Sequence, residues 1–288
     1  MTVQFVNRSI RFPSTPEQAR DCLVGEHDHW AMLDSERATL SAMASSLEPG
    51  CVVEVGVYRA GSLGVLAAHS AKVYALDIDP QCAASYASRF PNVEFITGPS
   101  AQTLPALIDR LQASDQSLEL VLIDADHTAA GVRGDIDSVL RYRPTKRPLY
   151  IIMHDSFNPE CRGGIKGAAW EANPYVHAVE IDFVVGMLCG NEEPPGFVGS
   201  MWCGLALGIL LPEKRVGPLA IHERESVQFQ AALRHSRYWS EKSWNPRFSV
   251  PRAARRVRAK LGTLGRDHAA LVYFALKALR DRLRPRGV

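Results

Sequence analysis

The chain has 288 residues, 46% hydrophobic and 22% charged, with 21 Gly and 18 Pro; this usage excludes a disordered, collagenous or disulfide-stapled chain and allows one large domain with extensions. The net charge of +2 conceals an asymmetry, because residues 251–288 hold 11 Lys and Arg against 2 acids and leave 22 bases against 29 acids in the body. The six cysteines (Cys22, Cys51, Cys82, Cys161, Cys189 and Cys203) form no CxxC pair, and Cys51 lies in an apolar run where a thiol packs as a small hydrophobe, so a reducing, cytoplasmic compartment is expected. The N-terminus has no continuous apolar core of the kind a signal peptide needs. The longest uncharged stretch, 195–212, is broken by Gly196, Gly199, Gly204 and Gly208 and bounded by prolines, which predicts a loop and a buried strand, not a membrane span.

In chain order, Leu33, Leu40, Met43 and Leu47 recur at helical spacing and predict a covering helix over 34–47 whose task is packing. Short β-branched runs follow: CVVEVG from 51, KVYALD from 72, VEFITG from 93, LELVLID from 118 and LYIIMHD from 149. Helical patterns separate them, starting near Gly61, Pro80, Ser100 and Ala129. This alternation predicts β-α-β units and a parallel sheet with neighbouring strands close in sequence. Two later runs, VHAVEIDF from 176 and WCGLALGILL from 202, are joined by a Gly/Pro-rich loop and predict an antiparallel pair at the far edge. The expected architecture is therefore α/β: a Rossmann-like, seven-stranded, mostly parallel sheet with helices on both faces, an antiparallel last strand and a C-terminal helical extension. The expected boundaries are a cap segment over 1–33, the main domain over 34–212, a helical or irregular extension over 213–250 and a basic amphipathic tail over 251–288.

The first strand runs into VYRAGSLG and places Glu54, Gly56, Gly61 and Gly64 around a strand-to-helix turn, where glycines let backbone approach a ligand. The spacing is G-x4-G-x2-G, not the G-x-G-x-x-G that cradles a pyrophosphate. One strand later Asp77 ends VYALDIDP, where an acid at a strand's carboxyl end can accept two ribose hydroxyls. A nucleoside without a diphosphate satisfies both observations. On these residues the chain resembles the class I S-adenosylmethionine-dependent methyltransferases over about 34–211, with Ser100 in ITGPSAQTLP at the position that looks out at the adenine. The resemblance implies S-adenosylmethionine as methyl donor, held around Glu54, Gly56, Gly61, Ser62, Asp77, Ile78, Ser100 and Asp124.

A second constellation ends the fourth and fifth strands: Asp124, Asp126 and His127 in IDADH, and His154, Asp155 and Ser156 in MHDS. Parallel neighbours lie about 4.8 Å apart, so Asp124 and Asp155 converge, and two carboxylates at one spot call for a cation or a proton between them. Oxygen donors suit Mg²⁺, Mn²⁺ or Ca²⁺, and His154 tilts the choice toward Mn²⁺, Fe²⁺ or Zn²⁺. The pairing resembles the metal-dependent O-methyltransferases of catechol and caffeoyl type, and the runs DADHTAAGVRGDI and HDSFNPECRGGI resemble the bacterial sugar and antibiotic O-methyltransferases and the cephalosporin-hydroxylase group. Ser156 stands where the first type places Asn, and His154 where the second places an acid. The resemblance implies Asp124, His154 and Asp155 as ligands of a divalent cation, Mg²⁺ or Mn²⁺. It also puts His127 at the place of the lysine that removes the substrate proton, a role an imidazole can fill near neutral pH. The other reading of His127 has it capping the following helix or meeting Asp135; His154 can equally orient Asp155 without being a ligand. Arg162, Lys166, Trp170 and Trp202 are candidates for the acceptor rim.

The tail runs RAARRVRAK and RDHAALVYFALKALRDRLR read as basic helices, the second with an apolar stripe through Leu271, Ala275, Ala278, Leu279 and Leu283. Such a helix packs on the body or on a second subunit of a homo-oligomer, or lies on an anionic membrane surface as a peripheral contact. An RNA methyltransferase is disfavoured because IDADH stands where base-directed enzymes show an Asn/Asp-Pro-Pro-aromatic run, so nucleic acid is not the expected partner. The expectation is an O-methyltransferase acting on a hydroxyl of a small molecule or glycan. Metal-independent transfer with His127 or His154 as base, a non-catalytic nucleoside-binding module and an NAD-dependent oxidoreductase are the alternatives.

Overall fold

The structure is a computed structural model that describes residues 31–114, 116–193 and 196–242. Its contacts divide the chain into two units, 1–239 and 240–288, and the fold below is that of the first. Most of the expected cap segment, Cys22 and the basic tail with its amphipathic helix lie outside the described residues.

The chain alternates α1 (Asp34–Leu47), β1 (Cys51–Val55), α2 (Gly61–His69), β2 (Lys72–Asp77), α3 (Pro80–Tyr86), β3 (Val93–Thr97), α4 (Ser100–Ala113), β4 (Leu120–Ile123), α5 (Ala129–Val139), β5 (Leu149–His154) and α6 (Pro159–Gly167). It continues as β6 (Val176–Val184), β7 (Met187–Leu188), β8 (Met201–Trp202), β9 (Leu205–Leu210), β10 (Ala220–His222), α7 (Ser226–His235) and α8 (Arg237–Lys242). Helix starts are set by local chemistry: Asp79 accepts from the Gln81 amide ahead of Pro80 in α3, Thr128 accepts from the Gly131 amide in α5, and Asn158 accepts from the Glu160 amide in α6.

The main sheet has the order β10-β6-β9-β5-β4-β1-β2-β3. Strands β1 to β5 are parallel among themselves, and β9 runs antiparallel between β5 and β6. The central strands β1 and β4 are buried throughout because both faces are covered. Leu40, Met43, Leu63, Leu66 and Cys82 of α1 to α3 pack on one face. Leu104, Ile108, Ile136 and Ile165 of α4 to α6 pack on the other.

Two features differ from the sequence expectation. The main sheet has eight strands, not seven, because β10 adds to β6 in parallel at the edge. Ion pairs tie down the chain beyond it: Glu223 meets Arg162 and Lys166, and the Glu225 amide donates to Asp182. The run from Trp202 is also not one strand. It breaks at Cys203 and Gly204, which have φ of 64° and 85°, so β8 pairs with β7 in a separate hairpin and β9 joins the main sheet. A Cβ on Gly204 would lie 2.9 Å from the Gly186 nitrogen and the Ser156 hydroxyl, a close approach that favours glycine.

At the end of β1, Gly56 has φ 92°, and a Cβ there would lie 2.2 Å from the Asp124 carbonyl oxygen. The neighbour is backbone and cannot swing away. Gly56→Ala is expected to destabilise the fold by about 3 kcal/mol and lower its melting temperature by roughly 6–12 °C. Thermal unfolding followed by circular dichroism checks this; an unchanged midpoint would show that the β1 turn relaxes freely.

Candidate active site

The strand order reverses between β1 and β4, and in open α/β sheets ligands bind outside the carboxyl ends at such a point. A cavity of about 890 Å³ opens there. One part of its lining comes from the β1 turn, the end of β2 and the start of α4; another from the ends of β4 and β5; a third from the β7–β8 hairpin.

Of the residues expected around a nucleoside, Gly56, Asp77, Ile78, Ser100 and Asp124 line this cavity. Gly61 and Ser62 lie beside a small adjoining recess behind the turn. Glu54 does not reach the surface: it is wholly buried under the turn, where the Ser62 hydroxyl donates to it. Burial pushes the Glu54 carboxyl up to about 8, and the charges of Asp124 and Asp77 add to the rise against the Ser62 hydrogen bond. Asp77 secures the turn. Its Oδ2 accepts from the Val57 amide at 2.8 Å and the Tyr58 amide at 3.1 Å, and its Oδ1 accepts from the Asp79 amide at 2.8 Å. Burial tends to raise its pKa, but these amides hold it below the usual carboxylate range. A carboxylate has about four acceptor positions, and the three amides engage most of them.

The register explains the other constellation. Ile123 pairs with Met153, so the next residues, Asp124 and His154, are lateral neighbours, and Asp155 lies one position further on. Asp155 returns to the cluster by a left-handed backbone, φ 57°, with Oδ1 accepting from the Cys203 amide at the strand break. His127 Nε2 then lies 3.0 Å from Asp155 Oδ2 and 3.4 Å from Asp124 Oδ1. His154 Nδ1 lies 2.8 Å from Asp124 Oδ1. His127 is therefore part of the cluster. It does not cap α5, a role Thr128 takes, and Asp135 pairs instead with Ser100. Its ring meets Trp202 edge-on with centroids 5.6 Å apart.

Electrostatics follow from this packing. Hydrogen bonds to Asp124 and Asp155 lift His127 to about 10, so at neutral pH it is an imidazolium lying between two carboxylates. Burial works against the charge on His154, yet Asp124 keeps its pKa well above the ordinary value. Burial opposes ionisation of Asp124 as well, and the two imidazoles nonetheless hold it down to about 2.

Sequence reasoning missed Glu36. This α1 carboxylate is wholly buried; Oε2 accepts from the Leu33 amide at 2.6 Å and Oε1 lies 3.2 Å from His154 Nε2, off the axis of a hydrogen bond. Helix α1 thus does more than cover the sheet. An available signal was the charge at position 36 on the same stripe as Leu33, Leu40 and Met43. Met187, Cys189, Glu193 and Phe197 of the hairpin region also line the cavity and carried no motif. Of the rim candidates only Trp202 lies there. Arg162 is buried against Asp182, Lys166 pairs with Glu223, and Trp170 is buried in the core with Nε1 donating to the Ile165 carbonyl.

Residues 53–156 match the family model described as a methyltransferase domain, a span holding the β1 turn, Asp77 and the acid–imidazole cluster. The matched span is thus similar to a methyltransferase domain. Solved structures similar to it include an O-methyltransferase from Bacillus cereus in complex with SAH, at 15% identity over 68% of this chain and 87% of that one, TM-score 0.46. A putative O-methyltransferase from Klebsiella pneumoniae shows 19% identity over 67% and 86%, TM-score 0.45. The O-methyltransferase TomG from Streptomyces achromogenes, involved in tomaymycin synthesis and solved with SAM, shows 13% identity over 68% and 89%, TM-score 0.46. These are likenesses of fold. No curated protein matches the chain.

Glu54 provides a check on the burial of the β1 turn. Its folded pKa of about 8 lies above the ordinary 4.5, so the unfolded chain releases this proton first and stability falls as pH rises between those values. Glu54→Gln removes that slope, each unit being worth about 1.4 kcal/mol. Melting temperatures at pH 5 and pH 8 are expected to converge in the variant relative to the wild type; equal slopes in the two proteins would contradict the burial.

Proposed function

We propose that the enzyme transfers a methyl group to a hydroxyl of a small molecule or sugar, with a divalent cation held by Asp124 and Asp155. The observation that carries this reading is that one cavity joins the Gly56–Asp77 turn to the acid–imidazole cluster. The donor atoms of Asp124, His154 and Asp155 lie within 4.8 Å of one another, a spacing that fits a divalent ion and leaves His127 to act as base. Nitrogen among oxygens suits Mn²⁺ better than Mg²⁺. When bound, such an ion polarises a hydroxyl and lowers its pKa.

The chain's own residues account for the remaining chemistry. The β1 turn and Asp77 hold the nucleoside so that the methyl group faces the ends of β4 and β5. The hydroxyl oxygen attacks the methyl carbon, the carbon–sulfur bond breaks, and the hydroxyl proton passes to His127 Nε2. A direct displacement depends chiefly on alignment, and the strand ends supply it. His127 can accept that proton only after releasing its hold on the two carboxylates, which returns its pKa toward the ordinary ~6.5.

A second reading rests on the position of His127 itself. Its Nε2 lies between Asp124 and Asp155, where an imidazolium satisfies the carboxylates without a metal. Transfer would then be metal-independent, with His127 as a base in its neutral form.

Calorimetric titration with S-adenosylhomocysteine tests the donor half: micromolar binding is expected, and Asp77→Asn is expected to weaken it about tenfold, or ~1.4 kcal/mol. Absence of binding would remove the reading. Methyl transfer measured before and after chelation tests the metal. A loss of about 100-fold or more, restored by Mn²⁺ and abolished in Asp155→Asn, is expected for the first reading; unchanged transfer after chelation selects the second.

A further inference from the structure

The His154 ring faces two ways. Its Nδ1 lies 2.8 Å from Asp124 Oδ1, and its Nε2 lies 3.2 Å from Glu36 Oε1. On that second side the sulfur of Cys203 joins them, so a carboxylate oxygen, an imidazole nitrogen and a thiol lie within 4.8 Å of one another. The three residues come from α1, the end of β5 and the break between β8 and β9. Neither His154 Nε2 nor Glu36 Oε1 has a hydrogen-bond partner among the described residues. Glu36 is wholly buried and His154 is 7% exposed. Buried polar atoms are normally paired, so two that converge unpaired on one place call for a group between them.

The donor types say which group. Sulfur, imidazole nitrogen and carboxylate oxygen together are a zinc set, whereas Mg²⁺ and Ca²⁺ take oxygen and have no use for a thiolate. With bonds of about 2.0–2.3 Å, ligand atoms around a tetrahedral zinc stand about 3.2–3.8 Å apart; the Glu36–His154 separation already has that value. The surroundings fit as well. Asp124 on Nδ1 fixes the ring in the way a carboxylate fixes a zinc-binding histidine. The other oxygen of Glu36 is anchored by the Leu33 amide at 2.6 Å, which leaves Oε1 for the ion. His154 and Cys203 both line the cavity, which gives an ion its way in and leaves a fourth position for water.

We propose that Glu36 Oε1, His154 Nε2 and Cys203 Sγ bind a zinc ion. Coordination displaces the protons of the Cys203 thiol and of His154 Nε2 to solvent. The bound ion ties α1 to the end of β5 and to the β8–β9 break. Both readings of the methyl-transfer chemistry leave Nε2 of His154 unused, so the inference rests on neither of them.

Cobalt titration of the reduced, metal-free full chain, without a polyhistidine tag, tests the site, because a thiolate bound to Co²⁺ absorbs by charge transfer in the near ultraviolet and carboxylate-bound Co²⁺ does not. One equivalent of Co²⁺ is expected to produce this band and one equivalent of Zn²⁺ to remove it. Cys203→Ser is expected to abolish the band, and Cys189→Ser, at the other cavity-lining cysteine, to leave it unchanged. Glu36→Gln is expected to keep the band and weaken Zn²⁺ binding at least about tenfold, measured by competition with a chromogenic chelator. Zinc at about 100 times its dissociation constant is expected to raise the wild-type melting temperature by about 5–10 °C and to leave that of Cys203→Ser unchanged. The proposal is overturned if the wild type gives no band, if the band survives in Cys203→Ser or is lost in Cys189→Ser, or if Glu36→Gln binds Zn²⁺ as tightly as the wild type. The wild-type and Cys203→Ser titrations decide the matter even if Glu36→Gln does not fold.

Discussion

The approach of the β1 turn to the end of β4 governs this molecule. Gly56 leaves no room for a side chain against the Asp124 carbonyl, and that contact sets the depth at which the ends of β1 and β4 meet. The turn is secured from the other side by Asp77, whose carboxylate takes three backbone amides. One strand thus ends in backbone at a cavity, and its neighbour ends in a carboxylate a residue's width away. The β1 turn and the acid–imidazole cluster owe their proximity to sheet register.

From there the charges organise themselves. Three buried or partly buried acids, Glu36, Asp124 and Asp155, face two imidazoles, His127 and His154. Unpaired carboxylates this close would repel and protonate, so each is met by a ring nitrogen, and each ring is held in the cationic form in return. The cluster is therefore preorganised around positive charge. That property suits a divalent ion, and it equally suits an imidazolium in the ion's place, which is why both readings of the chemistry grow from the same cluster.

Much of this was legible in the sequence because parallel sheets write their order plainly. Buried central strands are continuous apolar runs, and the starts of α2 to α5 fall at Gly61, Pro80, Ser100 and Ala129, where the spacing puts them. Asp124, His127, His154 and Asp155 were visible as polar residues closing those runs. What stayed hidden depends on long-range contact. Strand β10 has three residues and is held by ion pairs from α6, so no local pattern marks it. The break at Cys203 arises where two distant segments press on Gly204. Glu36 belongs to a helix whose periodicity signals burial, and only its meeting with His154 shows why a charge is tolerated there. The Asp124–His154 pairing, with Asp155 displaced by one residue, needed the actual register of β4 against β5.

The break between β8 and β9 has a consequence for how such an enzyme diversifies. The hairpin that lines one side of the cavity is a sheet of its own, packed through Met201 on Phe157 and on Phe229 and Leu233 of α7, and joined to the acid–imidazole cluster through the Cys203 amide on Asp155. Its inner side chains are not part of the strand ladder that holds Asp77 and Asp124. Substitution along the hairpin can therefore reshape one side of the cavity while leaving the strand ladder untouched. The fold sets the hairpin wall apart from the strand-end cluster, with hydrogen bonds joining Cys203 and Gly204 to the 155–157 segment across the seam.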